Sequence, residues 1–588
     1  MVKMPQITRQ GLIKKELPSF KEMQLYAEQV SEGWKIGRSP FMDAHGIKSE
    51  REYKEQCKKT GKIMRHAHIG YNSAEETIAA IQYIYRELQA RNASLDRFGI
   101  CLDVQMGVPE EQRQNIPRGA GLVFQSEEEW IRVAQAAPVM VHFGDNMIGT
   151  LNSIENLRLA FAAGGTTIGN VSHYYTYEYP FPYDLNLRTE RMVEAFCIMG
   201  LYKDRGMLVH SNLDDGFGAL FHDLADTLGW AKLEKHIVED LIGAKLGHCF
   251  GNLYSDPVLR IAFSFALDDI NGHDSCGTMI YGNTTDFDTD FRKNYSVTNG
   301  YLLGDMIGQI HRPTGHALNA VPVSEAARIP SRDEILEAQI MSNELERYAR
   351  MYEPYMDWEK IESCEKKLLE GAEVFYHNTL QELDRIGIDL ENPAEIMLAL
   401  KRLGPDYLER YCGAGKVREE ERIPVWPTDM VKKITKIKEN ALRHISQGEL
   451  TGTRLVICST DVHEFGKNIV GSVLKKAGAS VHDIGTDASP AEIAETAIET
   501  DSQYIVVSTF NGVAKTFARN LLDTLGKYQL DVPVFMGGLL NENREDGNLP
   551  VDVTEELKQM GIICTKKAEE IVEIMKERNK TARDRKTT

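Results

Sequence analysis

The feature that most constrains the fold is a series of short buried-strand patterns that alternates with helical patterns after residue 450. The first strand pattern, RLVICST at 454–460, is followed by the helical pattern GKNIVGSVLKKAG at 466–478, which ends at Gly478. The alternation continues through the strand patterns SVHDIG, YIVVST and VPVFMGG and the helical patterns AEIAETAIET, FARNLLDTLGKY and KAEEIVEIM. Since parallel strands need crossover connections, this order predicts a doubly wound α/β domain with a parallel sheet.

Polar residues and glycines stand where the strands of this domain end. The loop Asp461-Val462-His463-Glu464-Phe465-Gly466 leaves the first strand, Ser508 lies at the end of the third, and Gly537 and Gly538 end the fourth. An imidazole can bind a metal through one ring nitrogen while a carboxylate orients the other, and glycine lets a backbone approach a ligand closely. Because ligands of open α/β sheets bind at the carboxyl ends of the strands, we predict a ligand site at this edge.

The run from Asp461 to Gly466 matches the D-x-H-x-x-G signature of cobalamin-binding domains. Ser508 and the glycine pair at 537–538 resemble the second and third signatures of that family, in the same order and on the same elements. The resemblance implies that His463 is the lower axial ligand of the cobalt and displaces the cofactor's own dimethylbenzimidazole. A flavodoxin-like response or nucleotide domain with a chance Asp-x-His loop is the alternative.

The resemblance also implies a role for each of the other signature residues. Asp461 would accept a hydrogen bond from the axial imidazole, and Gly466 would let the backbone approach the corrin or its tail. Ser508 would hydrogen-bond the buried base, and the two glycines that end the fourth strand would line the slot for the displaced nucleotide tail. Phe510 stands where the family usually has leucine, a difference that affects packing around the tail.

A longer alternation of strand and helix patterns occupies residues 61–320. The candidate strands are 62–69, 98–104, 139–143, 166–171, 206–210, 245–249, 261–267 and 277–281. Parallel strands in this number, with helices between them, predict a (β/α)8 barrel of the TIM type. A doubly wound open sheet would give the same alternation, and the segment IAFSFAL at 261–267 fits a buried helix as well as a strand.

Helical patterns flank the predicted barrel. Residues 1–60 and 332–414 carry apolar positions at helical spacing, and 417–429, with Pro424 and Pro427, predicts an extended linker. We therefore divide the chain into an N-terminal helical extension (1–60), the barrel that binds substrate (61–331), a helical segment with linker (332–448) and the cobalamin-binding domain (449–588).

Composition excludes several classes of function. The net charge of −19 argues against a nucleic-acid partner, because phosphate binding needs a concentrated basic face. No apolar run approaches the ~20 residues of a membrane helix, and the N-terminus has no apolar signal segment. The nine cysteines show no CxxC or zinc-like spacing and are expected to be reduced thiols. We expect a cytoplasmic protein that handles small molecules, with no membrane partner.

A barrel upstream of a cobalamin domain resembles the adenosylcobalamin-dependent carbon-skeleton mutases of the glutamate mutase and 2-methyleneglutarate mutase type, as does the segment 321–345. The resemblance implies adenosylcobalamin as the cofactor, radical isomerisation of a small (di)carboxylic acid such as 2-methyleneglutarate inside the barrel, and a homo-oligomer. No segment resembles the T-x-R-Q-Y-A-G-F stretch of acyl-CoA mutases, which favours free acids over CoA thioesters.

Other features resemble the corrinoid proteins of methyltransferases. The segments GKNIVGSVLKKAG and VHDIG are similar to theirs, and helical residues 332–414 would supply the four-helix cap that precedes the cobalamin domain in those proteins. A corrinoid-dependent methyltransferase and a non-catalytic corrinoid-binding protein are therefore the alternatives to a mutase.

Candidate substrate ligands follow from barrel geometry, because active sites of such barrels lie at the carboxyl ends of the strands. A carboxylate substrate calls for a guanidinium that can bind it with two hydrogen bonds. We expect Arg65 in this role, at the end of the first candidate strand, whereas Arg188 and Arg191 are expected to be solvated at the surface.

His142, His173 and Tyr175 are the candidate catalytic residues of the barrel, and Tyr175 belongs to an aromatic-rich segment, 170–183, that would wall the pocket. For each histidine, a purely structural role is an equally good interpretation. Further polar candidates at predicted strand ends are Asp103, Gln105, Asp145, Asn170, His210, Asn212 and Asn283.

Overall fold

The structure, a computed structural model, describes residues 7–114, 116, 118–119, 121–177, 183–252, 254–272, 276–288, 290–418, 421–460, 465–485, 488–509, 513–542 and 551–587. The chain forms two compact units, Met1–Asp429 and Met430–Thr588. None of the described helices combines the length and the apolar character that a membrane crossing requires.

Four helices precede the barrel: α1 (Arg9–Leu12), α2 (Phe20–Val30), α3 (Pro40–His45) and α4 (Glu50–Thr60). Helix α4 closes the amino-terminal end of the barrel. Its Lys54 donates hydrogen bonds of 2.7 and 2.8 Å to the carbonyl oxygens of Thr278 and Gly315, just before two barrel strands, and Glu50 forms a 2.9 Å ion pair with Arg97. Ionic groups therefore fill this end of the barrel.

Eight parallel strands close into a barrel in sequence order, which confirms the predicted (β/α)8 fold. The strands are β1 (Arg65–His68), β2 (Arg97–Cys101), β3 (Met140–Asp145), β4 (Thr167–Gly169), β5 (Leu208–Asn212), β6 (Leu246–Phe250), β7 (Met279–Ile280) and β8 (Ala317–Asn319). The helices among them are α5 (Ala74–Gln89), α6 (Glu110–Arg113), α7 (Glu127–Ala134), α8 (Ser153–Ala162), α9 (His173–Thr176), α10 (Leu185–Leu201), α11 (Leu224–Lys235), α12 (Pro257–Asn271) and α13 (Phe291–His311).

The candidate strand at 261–267 was wrong, because these residues lie inside α12. Helix α12 packs against α11, α13 and α15 (Trp358–Ile386) as well as β6, so every residue from Leu259 to Asp268 is buried, the polar ones included. A helix buried on all sides loses the polar face that would distinguish it from a buried strand. The missing strand is the three-residue β8, which lies in no predicted strand.

The helical segment after the barrel consists of α14 (Arg332–Tyr352), α15 and α16 (Pro393–Cys412). Helix α14 packs on α5 and α13, α15 packs on α11 and α12, and their buried residues join the hydrophobic core of the barrel. The segment 417–429 is not simply extended, because β9 (Lys416–Arg418) and β10 (Glu421–Ile423) form an antiparallel pair. The helices after the barrel thus belong to the barrel unit.

The C-terminal unit is a five-stranded parallel sheet in the order β12-β11-β13-β14-β17, which confirms the predicted doubly wound domain. Its strands are β11 (Arg454–Ser459), β12 (Ser480–Asp483), β13 (Tyr504–Thr509), β14 (Val534–Gly538), β15 (Asn541–Glu542), β16 (Val551–Asp552) and β17 (Ile563–Thr565), of which β15 and β16 form a separate antiparallel pair. Its helices are α17 (Asp429–Arg443), α18 (Phe465–Lys476), α19 (Pro490–Glu499), α20 (Ala514–Lys527), α21 (Thr554–Gln559) and α22 (Ala568–Thr587).

Candidate functional site

The C-terminal unit brings the predicted signature residues together at one edge of its sheet. In the register of the parallel strands, Ser508 lies opposite Ser459 on one side and opposite Gly537 on the other, and Thr509 lies opposite Gly538. The strands β11, β13 and β14 therefore end side by side, as their order in the sheet requires. Residues far apart in sequence meet at one ligand-binding edge.

A cavity of about 370 Å³ opens at this edge. It reaches from the strand ends to α18 and α22 and to α17, which contributes Asn440 and Ala441. His444, the residue after α17, also lines it. The residues that line it are Ile437, Asn440, Ala441, His444, Ile457, Gly466, Lys467, Ile469, Val470, Val506, Val507, Ser508, Gly537, Gly538, Thr565, Lys566, Lys567, Ala568, Glu569 and Ile571. Ligand pockets of about 300–1,000 Å³ are typical for cofactors.

Glycine is favoured at two positions of this cavity for separate reasons. A Cβ on Gly466 would stand 2.7 Å from the hydroxyl oxygen of Ser508, so a side chain there would push that hydroxyl out of its position. Gly538 has φ +98° and a Cβ there would collide with the carbonyl oxygen of Thr509. Gly537 leaves more room, with Thr565 oxygens 3.2 and 3.3 Å from an added Cβ. The absence of side chains keeps the cavity open beside the Ser508 hydroxyl.

These lining residues fit the nucleotide tail of a cobalamin. The cavity offers an apolar wall from α18 and α22, a hydroxyl on its floor and backbone that a ligand can approach closely. Asp461, His463 and Phe510 lie outside the described residues, so their predicted roles stay predictions. At the start of α18, Lys467 forms an ion pair with Asp483, with Nζ 2.7 and 2.8 Å from the two carboxylate oxygens.

The barrel unit contains a second pocket, of about 560 Å³, at the carboxyl ends of its strands. Its residues are His68, Gly70, Gly99, Ile100, Cys101, Leu102, Asp103, Val104, Gly119, Gly121, His142, Gly144, Asp145, Asn146, Tyr177, His210, Asn212, Asp215, Asn252, Met279, Tyr281, Thr284, Glu325, Ala326, Arg328, Ile329, Pro330 and Ile335. Among these described residues the acidic side chains are Asp103, Asp145, Asp215 and Glu325, while Arg328 is the sole arginine or lysine and pairs with Glu334.

Imidazoles form the floor of this pocket. The rings of His142 and His210 meet edge to face with centroids 4.5 Å apart, and His142 Nδ1 lies 3.0 Å from the carbonyl oxygen of Thr167. Burial lowers the pKa of His142 and His210 well below the ordinary value, and Arg97 beneath them adds to the effect. Both rings are therefore neutral near pH 7 and present an uncharged floor to the pocket.

His173 lies beside this pocket, between two carboxylates. Its Nε2 is 3.5 Å from Asp145 Oδ1 and 3.5 Å from Asp215 Oδ2. Burial alone would lower the pKa of His173, but the carboxylates of Asp145 and Asp215 outweigh it and raise that pKa. The ring of Tyr177 packs on the imidazole with centroids 4.4 Å apart. Asp145 ends β3, and Asp215 follows β5 in a short 3-10 turn, Leu213–Asp215.

Arg65 does not lie where the sequence placed it, because β1 begins rather than ends at this residue. Its guanidinium donates to the Ser342 hydroxyl at 2.8 Å and to Glu346 at 2.6 Å. It lies at the amino-terminal end of the barrel, away from the pocket, and these contacts tie α14 to β1. The sequence MRHAHIG at 64–70 has no turn residue directly before it that would mark where the strand starts.

Tyr175 and Arg188 also differ from the sequence-based expectation. Tyr175 is buried among Phe217 and Trp230, outside the pocket lining. Arg188 is 1% exposed rather than solvated, and its guanidinium donates to the carbonyl oxygens of His173 and Tyr177, each at 2.8 Å. It therefore fixes the backbone on both sides of α9.

Asp215 and Glu325 are pocket residues that sequence reasoning missed. Asp215 lies three residues beyond the strand-end Asn212, and Glu325 lies in the segment after β8, which was not recognised as a strand. Burial raises the pKa of Glu325 from 4.5 to about 7. The pocket thus holds a carboxyl group that exchanges a proton near neutral pH.

Glu325→Gln is expected to change how stability depends on pH. The native pKa is higher than that of an unfolded chain, so the wild-type contribution is complete below pH 4.5 and is lost as the pH rises through about 7. Relative to wild type, the variant should gain about 2 kcal/mol between pH 5 and pH 8. Denaturant unfolding of both proteins at the two pH values measures this, with the exposed Glu344→Gln as control; a difference that does not change with pH would contradict the buried acid.

Comparison with known proteins agrees with the geometry of the C-terminal unit. Residues 455–554 match the family model of the B12 binding domain. The glutamate mutase sigma subunit of Carboxydothermus hydrogenoformans is 32% identical over 108 residues, which cover 18% of this chain and 77% of that subunit. The dimethylamine corrinoid protein 3 of Methanosarcina acetivorans is 38% identical over 80 residues, 13% of this chain and 38% of that protein.

Among solved structures, a novel cobalamin-binding protein from Desulfitobacterium hafniense DCB-2 is similar at 23% identity, with a TM-score of 0.19 over 22% of this chain and 59% of that one. One assignment for the C-terminal unit follows from the strand ends that lie side by side in its sheet, from the glycine-lined cavity and from the curated relatives. Through its residues 455–554, the chain belongs to the family of B12 binding domain proteins.

Proposed function

We propose that this chain is an adenosylcobalamin-dependent mutase whose barrel binds a small substrate and whose C-terminal unit holds the cofactor. The observation that carries this proposal is the packing of the helices after the barrel. Helices α14, α15 and α16 share the core of the barrel, and α17 alone of the described helices precedes the sheet of the C-terminal unit. A corrinoid methyltransferase of the expected kind would need a four-helix cap there.

The C-terminal unit would hold the cofactor through its glycine-lined cavity. The Ser508 hydroxyl would bind the base of the nucleotide tail, and Gly537 and Gly538 would leave its path clear. His463 is proposed as the ligand beneath the cobalt and Asp461 as the partner of its other ring nitrogen. When bound, adenosylcobalamin supplies hydrogen-atom abstraction through homolysis of its cobalt–carbon bond.

The barrel pocket would position the substrate and keep water away from it. The neutral rings of His142 and His210 accept or donate hydrogen bonds without adding charge, and Tyr177 and Tyr281 contribute aromatic walls. Glu325 can hold or release a proton near neutral pH. These groups suit a reaction in which a radical migrates between neighbouring atoms of an enclosed substrate.

The charge of the lining bears on the substrate class. A dicarboxylate needs fixed cations. Arg328, the one arginine or lysine of the described lining, already donates from both terminal nitrogens to the carboxylate of Glu334. The lining by itself therefore does not support a dicarboxylate, and we restrict the proposal to a small polar substrate.

Methyl transfer is the second candidate, because the dimethylamine corrinoid protein is 38% identical to this chain over its matched residues. Such a protein would accept methylcobalamin, whereas a mutase requires the adenosyl form. The two proposals therefore differ in the upper ligand that supports turnover.

Electron paramagnetic resonance distinguishes the two proposals. Full-length protein with adenosylcobalamin and a panel of small acids, amino acids and amines should show, with one of them, a cob(II)alamin signal coupled to an organic radical. The signal should depend on substrate and be lost with cyanocobalamin. Turnover with methylcobalamin, together with no radical in any adenosylcobalamin sample, would overturn the mutase proposal in favour of methyl transfer.

A further inference from the structure

Three adjacent barrel strands present metal-ligating side chains at one point. Asp145 is the last residue of β3, His173 begins α9 just after β4, and Asp215 lies just after β5. One ligand atom from each lies within 4.8 Å of the others, and His173 Nε2 is 3.5 Å from a carboxylate oxygen on either side. Neighbouring strands in a parallel barrel end at the same face, so this convergence follows from the fold.

The imidazole of His173 is only 5% exposed, and its two nitrogens have different surroundings. Its Nδ1 is buried without a hydrogen-bond partner, and its Nε2 faces the carboxylates of Asp145 and Asp215 at 3.5 Å each, the outer limit of a hydrogen bond. A close hydrogen bond between charged groups of this kind is about 2.7–2.9 Å long, so neither carboxylate holds Nε2 closely and the space between the three groups suits an ion.

The surrounding residues hold the three side chains in place. Arg188 fixes the backbone of His173 and Tyr177 through two hydrogen bonds of 2.8 Å. Asn170 and Asn212 each donate a 2.8 Å hydrogen bond to Asp215 Oδ2. Hydrogen bonds from such outer partners orient ligands in metal sites.

Two of the three spacings between the ligand atoms match those around a small divalent ion. Ligand atoms about 2.0–2.2 Å from Zn²⁺ lie about 3.0–3.6 Å from one another, and His173 Nε2 is 3.5 Å from each carboxylate oxygen, with all three atoms within 4.8 Å. The side chains of Asp145 and Asp215 remain 31% and 35% exposed, on the side of the barrel pocket. Three protein ligands with one open side are typical of a catalytic rather than a structural metal site.

We propose that Asp145, His173 and Asp215 bind one divalent transition-metal ion, such as Zn²⁺ or Mn²⁺, with its open coordination positions toward the barrel pocket. One imidazole nitrogen and two carboxylate oxygens, without a thiolate, suit this class of ion. The site does not depend on the mutase proposal. If that proposal holds, the ion also supplies the positive charge that a substrate carboxylate needs and that the lining lacks, a consequence that rests on the proposed function.

Metal titration of the full-length protein tests the site without any turnover. After chelator treatment and desalting, the protein is loaded with hydroxocobalamin, whose cobalt is silent in electron paramagnetic resonance. Titration with Mn²⁺, followed by the loss of the free-ion signal, and with Zn²⁺, followed by calorimetry, should each give one site. Asp145→Asn, Asp215→Asn and His173→Gln should each weaken this site by about tenfold or more.

Asp204→Asn, an exposed aspartate of the same unit, is the matched control and should bind metal like wild type. The fluorescence of the barrel-unit tryptophans shows whether each variant folds, and Asp145→Asn, at a side chain that is 31% exposed, is expected to fold. The cobalamin spectrum should be unchanged in all variants. Absence of a one-to-one site in folded wild-type protein, or equal affinity in folded Asp145→Asn and Asp204→Asn, would overturn the metal site and leave the mutase proposal unaffected.

Discussion

Glu50→Gln is expected to lower the free energy of unfolding of the barrel unit by about 3–5 kcal/mol. Glu50 is fully buried at the start of α4, and its Oε1 lies 2.9 Å from Arg97 Nε and 3.5 Å from Lys54 Nζ. The variant keeps the size of the side chain and removes its charge, so two buried cations lose their shared counter-ion.

The two cations respond differently to this loss. Burial lowers the pKa of Lys54 to about 8, so its ammonium group can release a proton. A guanidinium stays protonated, so Arg97, on β2 and fully buried, carries most of the cost as an unpaired charge. The penalty should therefore be smaller at pH 9 than at pH 7 but should not vanish.

Tryptophan fluorescence during denaturant unfolding measures this effect in the barrel unit alone. All five tryptophans, Trp34, Trp130, Trp230, Trp358 and Trp426, lie within Met1–Asp429. Glu55→Gln is the matched control, because Glu55 is one turn further along α4 and its 43% exposed side chain pairs with Arg51. That control should change stability by less than about 1 kcal/mol. Equal stability of the two variants would show that the ionic groups do not hold the barrel end together.

The sheets were predictable from the sequence where strands were long and bounded by turns. The strands β11, β13 and β14 each contain at least five residues with a run of buried apolar side chains, and the helices between them indicated a parallel sheet. The prediction placed a strand at 261–267, which lies in the buried helix α12, and did not include the strand β8. Helix α12 is buried on nearly every side, so its sequence lacks the exposed polar face that marks a surface helix.

The positions of the site residues could be predicted only where the ends of the barrel strands were predicted correctly. His142 and Asp145 lie on β3, whose end was predicted nearly correctly, and both line the pocket. The predicted position of Arg65 was wrong because β1 starts, and does not end, at this residue. The predicted position of Tyr175 was wrong because its ring packs against Trp230 and not in the pocket. Partnerships such as that of Arg188 with the backbone of α9 depend on tertiary contacts that no local pattern reveals.

Cobalamin binding should depend on the cavity of the C-terminal unit as strongly as on the proposed axial ligand. Gly537 lines the cavity, and the nearest atoms to an added Cβ are Thr565 oxygens at 3.2 and 3.3 Å, so a Cβ there needs only a small shift of Thr565. Gly537→Leu should fill the space needed by the nucleotide tail, and far-UV circular dichroism shows that the variant folds. The variant should no longer bind cobalamin in the base-off form, in which the nucleotide tail lies in the cavity, even though His463 is intact.

The absorption spectrum of the full-length protein with cobalamin tests the central claim most directly. Wild type should show the base-off spectrum with histidine on the cobalt, and His463→Ala should lose it. His482→Ala, in β12 of the same sheet, should keep the wild-type spectrum. A base-off, histidine-bound spectrum that persists in His463→Ala, or a wild-type protein that binds cobalamin with its own base still on the cobalt, would contradict His463 as the axial ligand.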